Sequence, residues 1–428
     1  MSSAQPAMDD RATRPAIVLL MGALFASALA YSAVLPVLPL ILARSGLAPP
    51  AVTWHTGMLT GIYMLLVFVS APLWGRFSDR VGRRPVIVLG LIGMSLALVG
   101  FALFRSLAPA YIARALTGVF VGAVIPVVTA EVGDLSGRST RAHRFALLTS
   151  ASLLGFFIGP ALSGWLSNAT STGRVTVAAI VTYVPVVAAA ILSAMLAFAI
   201  ARWLPRPSTT LRDVDRDVPI DASKLQRAAP ALLVLVVMFA LASFEVAITL
   251  RGQQRLGWSQ AQIGVLFAEC SAVMILIQGV LFATPLKRVS SGWLIGFGLG
   301  AMILGLALMP FTDKFGLLLF LVVLISAGAS VVAPTITYRA SLGARLARGA
   351  ALGTQTAASS LGQALGSASV AALFGVSAAA PFWLAATLLA GGATFFLTGG
   401  VARPRTARLS LQRRGRRKIE DDHGNGYA

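Results

Sequence analysis

Long apolar runs alternate with short polar connections along the whole chain. Twelve such runs can be marked, at about 16–42, 57–74, 86–104, 108–132, 145–166, 175–204, 229–250, 263–286, 293–312, 317–340, 349–375 and 380–397. Each reaches the ~20 apolar residues that a helix needs to cross a hydrocarbon core. In lipid every backbone N–H and C=O must be satisfied within the segment, which favours helices for isolated apolar runs. The pattern predicts an all-α membrane protein of twelve transmembrane helices. Arg11 and Arg14 precede the first run, and Ala26–Ala30 offers the small residues of a cleavage site. The run continues uncharged to Leu42, however, too long for the core of a cleaved signal peptide.

Charge sorts the connections into two sets. If the connection after the second run is cytoplasmic, 28 of the 35 Lys and Arg fall on that side, counting Arg202 and Arg339 at the cytoplasmic ends of their runs, six fall on the other, and Arg114 alone lies in the interior of a run. This asymmetry predicts that both termini are cytoplasmic. It also places the net charge of +20 in the loops and tail, where it needs no nucleic acid as partner. The longest connection carries Asp213, Asp215, Asp217 and Asp221 among its arginines and divides the spans six and six. The expected organisation is a cytoplasmic N-terminal segment (1–14), a six-helix bundle (15–204), a cytoplasmic linker (205–228), a second six-helix bundle (229–400) and a basic cytoplasmic tail (401–428). Pro285-Leu-Lys-Arg-Val289 in the second half faintly repeats Ser78-Asp-Arg-Val81 in the first. Two related halves of this kind suit a transporter that rocks about a central site.

Composition narrows the function. The chain is 57% hydrophobic and 12% charged, against about 25% charged in soluble domains. The single Cys270 allows no disulfide within the chain, and His55, His143 and His423, all expected in loops or the tail, form no metal site. No phosphate-binding loop marks an ATP-driven pump. No nucleophile, base and orienting group can be placed together, so no enzyme is expected. No cofactor is expected either.

Charged groups inside a bilayer are costly and mark pathways. Arg114 falls in the fourth span, Glu245 in the seventh and Glu269 in the eighth, with Glu131 and Asp134 at the cytoplasmic end of the fourth. A carboxyl among apolar groups resists ionisation, so Glu245 or Glu269 could take up and release a proton near neutral pH. Either could equally lie near enough to the outer surface to stay hydrated. Arg114 opens Arg114-Ala-Leu-Thr-Gly118-Val-Phe-Val-Gly122, whose glycines form a face for close helix approach. Tyr31, Phe244, Gln278, Tyr338, Gln355 and Gln363 are candidates for a cavity lining or for ordinary helix packing. Gly353, Gly362 and Gly366 suggest close packing of the eleventh span.

Between the second and third runs lies Gly75-Arg-Phe-Ser-Asp79-Arg80-Val-Gly82-Arg83-Arg84-Pro85, read as a charged loop that turns at Gly82 and Pro85. Its spacing, G-x-x-x-D-R-x-G-R-R, resembles the signature loop of the major facilitator superfamily of transporters. The resemblance implies a cytoplasmic gate made by Gly75, Asp79, Arg80, Gly82, Arg83 and Arg84 together with Asp134 or Glu131, with Arg80 the expected partner of Asp134. Gly155-Phe-Phe-Ile-Gly159-Pro160-Ala-Leu-Ser163-Gly164 resembles the signature of that superfamily's drug:proton antiporter branch, with Ser163 in place of a usual Gly. Leu35-Pro-Val-Leu-Pro39 resembles the tetracycline and multidrug exporters, and the stretch after Glu245 resembles the norfloxacin-type exporters. The first run lacks the acid that many of these carry, which shifts the expected proton site to Glu245 and Glu269, with Arg114 influencing transfer. The resemblance implies export of small hydrophobic or cationic compounds in exchange for protons, by a monomer in a bacterial cytoplasmic membrane, in contact with lipid. Export of one metabolite or of a self-made antibiotic, and a non-transporting receptor or scaffold, are the other classes.

Overall fold

A computed structural model describes residues 10–103, 106–136, 140–169, 175–204, 224–283, 291–343 and 348–398. Residues 1–9 of the N-terminal segment, most of the central linker, the second-half repeat at Pro285–Val289 and the tail lie outside the described residues, while residues 10–14 of that segment already belong to the first helix. The helices in chain order are α1 (Asp10–Ser32), α2 (Leu38–Arg44), α3 (Pro49–Val81), α4 (Arg83–Leu103), α5 (Leu107–Leu135), α6 (Arg141–Ala169), α7 (Val175–Trp203), α8 (Lys224–Gln254), α9 (Gln260–Ala283), α10 (Ser291–Leu308), α11 (Phe315–Gly343), α12 (Arg348–Leu373) and α13 (Ala380–Thr398). Among the described residues ten helices, α1 and α3 through α11, are long and apolar enough to cross a membrane. α12 and α13 stand where the eleventh and twelfth spans were expected; α12 is interrupted by Gln, Ser and Thr, and the apolar part of α13 is shorter. The chain is an all-helical, multi-pass membrane protein.

The first apolar run is two helices rather than one. α1 ends at Ser32, and Ala33–Val37 form turns before α2 starts. Pro36 and Pro39 supply the reason: neither has an N–H to give, and each disfavours helical geometry in the residue before it. The Val37 N–H bonds Val34 O at 3.2 Å, three residues back, instead of Ala33 O. The charged segment after the second run also differs from the expected loop. α3 continues through Asp79 and Arg80 to Val81, and α4 begins at Arg83. The whole reversal falls on Gly82, whose φ of +95° only glycine adopts without strain.

Two apolar cores form. One gathers buried residues from Ala16 to Leu204 together with Ala364 of α12. The other gathers Leu233 to Phe396 together with Leu35 from the break between α1 and α2. The halves meet where α3 packs on α12 and where α6 packs on α9. Small residues permit the first contact: a Cβ on Gly57 would stand 2.7 Å from Ser367 O, and one on Gly61 3.1 Å from Ala364 O. α12 packs equally closely on α8, where a Cβ on Gly362 or Gly366 would strike the carbonyl of Leu235 or Phe239.

Three loop assignments change. His55 lies in α3 and pairs with the Tyr111 hydroxyl at 3.0 Å, and His143 lies in α6. Arg251 is buried in α8, where it donates to the carbonyls of Met309, Pro310 and Thr312 at 2.5, 3.2 and 2.9 Å and pairs with Asp313 at 2.7 Å. A cation at these carbonyls satisfies the short 3-10 turn, Met309–Phe311, that continues from α10 and leaves its carbonyls without helical partners.

Candidate functional site

The site is built on the close approach of α5 to α3. A Cβ on Gly118 would lie 2.3 Å from Tyr63 O, and one on Gly122 would lie 2.2 Å from Ser70 Oγ. With hydrogen in place of a side chain, α3 settles onto α5, held by Ser70 Oγ and Trp74 Nε1 donating to Val119 O at 3.2 and 2.9 Å. Arg114 lies one turn before Gly118 on the same face. Its guanidinium is 1% exposed and sits 4.5 Å from the centre of the Tyr63 ring. A desolvated cation over an aromatic face gains on the order of 2 kcal/mol, part of what its burial costs. Its Nη1 has no hydrogen-bond partner among the described residues. Arg114 therefore faces inward and does not reach outward to the membrane surface.

Tyr63 stacks on Tyr31 of α1, with ring centres 5.4 Å apart and planes 27° from parallel, and Phe156 of α6 closes edge-on at 5.6 Å. The Tyr31 hydroxyl then crosses to the other half of the protein and donates to Glu245 Oε2 of α8 at 3.1 Å. Arg114, Tyr63, Tyr31 and Glu245 thus form one relay of contacts from α5 to α8: a cation over a ring, two stacked rings and one hydrogen bond to a carboxyl group. Tyr31 and Tyr63 border a cavity of about 330 Å³ between the halves. Glu245 is reached from that cavity through the Tyr31 phenol.

The cavity wall is mainly apolar, with Leu24, Met64, Val67, Val121, Phe156, Val234 and Met238, and carries hydroxyls and amides from Ser27, Gln355, Thr356, Ser359, Ser360 and Gln363. Three candidates from the sequence, Tyr31, Gln355 and Gln363, are in this lining. Phe244 is not: it is fully buried in the second core. It shares its face of α8 with Val237, Ala240 and Ile248, while Glu245, a residue later and about 100° around the helix, points to Tyr31. Gln278 is buried outside the lining, and the Tyr338 side chain lies outside the described residues. Glu269 is half-buried, lies outside the lining, and its Oε2 is buried without a hydrogen-bond partner among the described residues. It does not join the relay.

The motif in α6 makes its closest contacts with the end of α1. A Cβ on Gly155 would meet Phe25 O at 2.5 Å, and one on Gly159 would meet Ser32 Oγ at 2.1 Å. Ser32 Oγ donates to Gly155 O at 3.0 Å, and Ser163 Oγ contacts Ala33 O at 3.2 Å and Gly159 O at 2.9 Å. Ala33 O is the carbonyl that loses its helical partner at the break, so Ser163 offers a donor where the backbone no longer does. α6 runs unbroken through Pro160, and the surroundings of Gly164 lie outside the described residues.

At the opposite end of α3, Asp79 pairs with Arg83 at 2.7 Å, and Arg83 also reaches Asp134 at 3.5 Å and donates to Ser78 Oγ at 2.8 Å. Asp134 is therefore met by Arg83, not Arg80. The turn at Gly82 explains the exchange: it carries Arg83 back toward α3 and α5, while Arg80, exposed on the last turn of α3, is left on another face. Arg84 donates to the Ala201 carbonyl of α7. Glu131 is buried one turn before Asp134, and Gly75 sits in α3 with open space around it.

Near the other membrane face, two contacts join the halves. Gln253 Nε2 donates to Pro36 O at 2.8 Å, and Thr53 and Gln254 bond through their side chains at 3.1 Å. Sequence reasoning missed these glutamines and Tyr63. Gln355, Ser359 and Gln363 recur every four residues and mark one polar stripe on α12, a signal readable in the sequence. Tyr63 carried no comparable signal, being one aromatic in an apolar run.

The fold and the relay describe a two-halved membrane transporter with a central cavity. The family model of the Major Facilitator Superfamily matches residues 20–367, and the chain belongs to that family. The Multidrug resistance protein 1 of Bacillus subtilis (strain 168) is 26% identical over 387 residues, covering 88% of this chain and 94% of its own. The class D Tetracycline resistance protein of Salmonella ordonez is 28% identical, covering 78% and 82%, and the Quinolone resistance protein NorA of Staphylococcus aureus (strain COL) is 25% identical, covering 85% and 91%. Among solved structures, the human organic anion transporter MFSD10 (TETRAN) superposes with a TM-score of 0.68 at 21% identity, covering 94% of this chain and 100% of its own. A bacterial homologue of the human lysosomal transporter Spinster, in an inward-facing, occupied conformation, gives 0.71 at 15% identity, covering 92% and 98%.

Proposed function

We propose that this chain exports small hydrophobic or cationic compounds, drugs among them, from a bacterial cytoplasm in exchange for protons. The observation that carries the reading is the Tyr31–Glu245 hydrogen bond between the two halves, at the edge of an apolar cavity. Protonation of Glu245 removes the charge that this bond serves and loosens one tie between the halves; deprotonation restores it. One carboxylate that answers to both a proton and a cation in the cavity is what exchange requires. A wall with Tyr31, Tyr63 and Phe156 beside Met64 and Met238 suits flat apolar ligands of varied shape. Similarity to proteins named for multidrug, tetracycline and quinolone resistance supports export over uptake.

In this reading the protein works as a monomer in a lipid bilayer and uses no bound cofactor. Asp79, Arg80 and Arg83 at the Gly82 turn close the cytoplasmic side, while Gln253 and Gln254 close the outer side, in alternation. Arg114 supports the ionised relay through Tyr63. Glu269, outside the relay, is the reserve candidate for the proton.

The test is ethidium efflux from energised cells. The wild type is expected to extrude the dye, to stop when a protonophore is added, and to lose at least tenfold in rate with Glu245→Gln. Efflux that survives the protonophore would overturn proton exchange. Efflux that survives Glu245→Gln would move the proton to Glu269. Absence of wild-type ethidium efflux would favour a single narrow substrate.

A further inference from the structure

Away from the central cavity, α4 and α7 enclose a lipid-facing groove of about 320 Å³. Its walls are Val88, Ile92 and Leu96 from α4 and Ala194, Phe198 and Ala201 from α7. Leu96 and Phe198 are 67% and 70% exposed, so the groove is open to the surrounding membrane along its length. One end is basic. Arg84 lies one turn before Val88, and Arg202 lies one turn after Phe198, each on the face that its helix turns to the groove. Arg84 donates to Ala201 O, which draws its guanidinium across from α4 to α7; among the described residues this is its one partner. The positive end of the α4 dipole lies at the same level. Trp203, 61% exposed and edge-on to Phe198 at 6.4 Å, marks the depth of the membrane interface here.

We propose that this groove holds one anionic phospholipid, an acyl chain lying between α4 and α7 and the phosphate resting on Arg84 and Arg202. An apolar trough that ends in two arginines complements a molecule with an alkyl tail and a negative head. A zwitterionic lipid would bring its own ammonium group into the basic mouth and is disfavoured there. The Lys and Arg asymmetry assigns this end to the cytoplasm, where anionic lipids attract basic juxtamembrane segments.

Native mass spectrometry of the full chain in detergent tests this, with phosphatidylglycerol and phosphatidylcholine added in equal amounts. The wild type is expected to retain one phosphatidylglycerol at least fivefold over phosphatidylcholine. Arg202→Gln should reduce phosphatidylglycerol retention at least threefold. Ala194→Phe, which fills the groove from an exposed position without altering charge, should reduce retention of both lipids. Equal retention of the two lipids by the wild type overturns the proposal, as does phosphatidylglycerol retention unchanged in Ala194→Phe. If Arg202→Gln does not fold, the wild-type preference and Ala194→Phe decide the matter between them.

Discussion

The hydroxyl of Tyr31 and the carboxylate of Glu245 are 3.1 Å apart although 214 residues separate them in the chain. Tyr31 belongs to the first half and borders the cavity; Glu245 belongs to the second and stands behind it. This bond ties the state of one titratable group to the contact between the halves. Removing its hydroxyl while keeping the ring isolates it. Tyr31→Phe retains the stack on Tyr63 and loses a hydrogen bond to a charged group, worth about 1.5–3 kcal/mol. The expected outcome is at least tenfold slower efflux together with a lowered unfolding temperature, both measured on the same preparation.

Gly118 should be intolerant of any side chain. Its added Cβ would stand 2.3 Å from Tyr63 O, a backbone atom that cannot swing aside. Gly118→Ala is expected to destabilise by about 1–3 kcal/mol and to separate Tyr63 from Arg114. Gly296→Ala, with nothing within 4 Å of its Cβ, is the control and should unfold at the wild-type temperature or slightly above. Scanning fluorimetry in detergent reads both.

Ser163→Ala leaves Ala33 O without the hydroxyl that contacts it at 3.2 Å. The expected cost is about 1 kcal/mol. Because Leu35, just past that carbonyl, packs into the second core, the loss should also reduce efflux. A variant that loses stability but transports at the wild-type rate would limit Ser163 to a packing role.

Gln254→Leu removes the side-chain bond to Thr53 that joins the halves on the outer side. The opening of that side should become more frequent. In a background with Cys270 replaced by Ala, a Ser27→Cys reporter in the cavity wall should react several-fold faster with a membrane-impermeant thiol reagent added outside. An unchanged rate would mean that the Gln253–Pro36 contact and the α3–α12 packing hold the outer side without Gln254.

The positions of the spans were legible because transfer into lipid is nearly additive along a helix: a run is apolar or it is not, whatever its neighbours do. The two departures had local causes that the sequence displayed. Pro36 and Pro39 break the first run, and Gly82 confines the second connection to a single residue of positive φ. Hydropathy alone smooths over both, since it makes the prolines part of a continuous span and the charged residues a loop. Charged residues on α3 beyond the apolar part remain helical because each N–H still finds its carbonyl, and polarity alone does not end a helix.

The site was partly legible. Rarity of charge within the runs singled out Arg114, Glu245 and Glu269 alike, of which Glu269 stands apart from the cavity lining, and four-residue spacing links Gln355 to Gln363. Phe244 and Glu245 adjoin in sequence, yet one fills a core and the other meets Tyr31, because consecutive residues of a helix point about 100° apart. The rotation of each helix is set by every partner packed against it. The sequence by itself therefore determined which segments are helical, how their charges are distributed, and which few polar groups must find partners. Tertiary structure alone decided those partners: that Tyr63 stands between Arg114 and Tyr31, that Asp134 meets Arg83, and that Tyr31 reaches Glu245. Each such contact depends on the register and rotation of two helices together, fixed where glycine lets backbones touch, and no single helix carries that information.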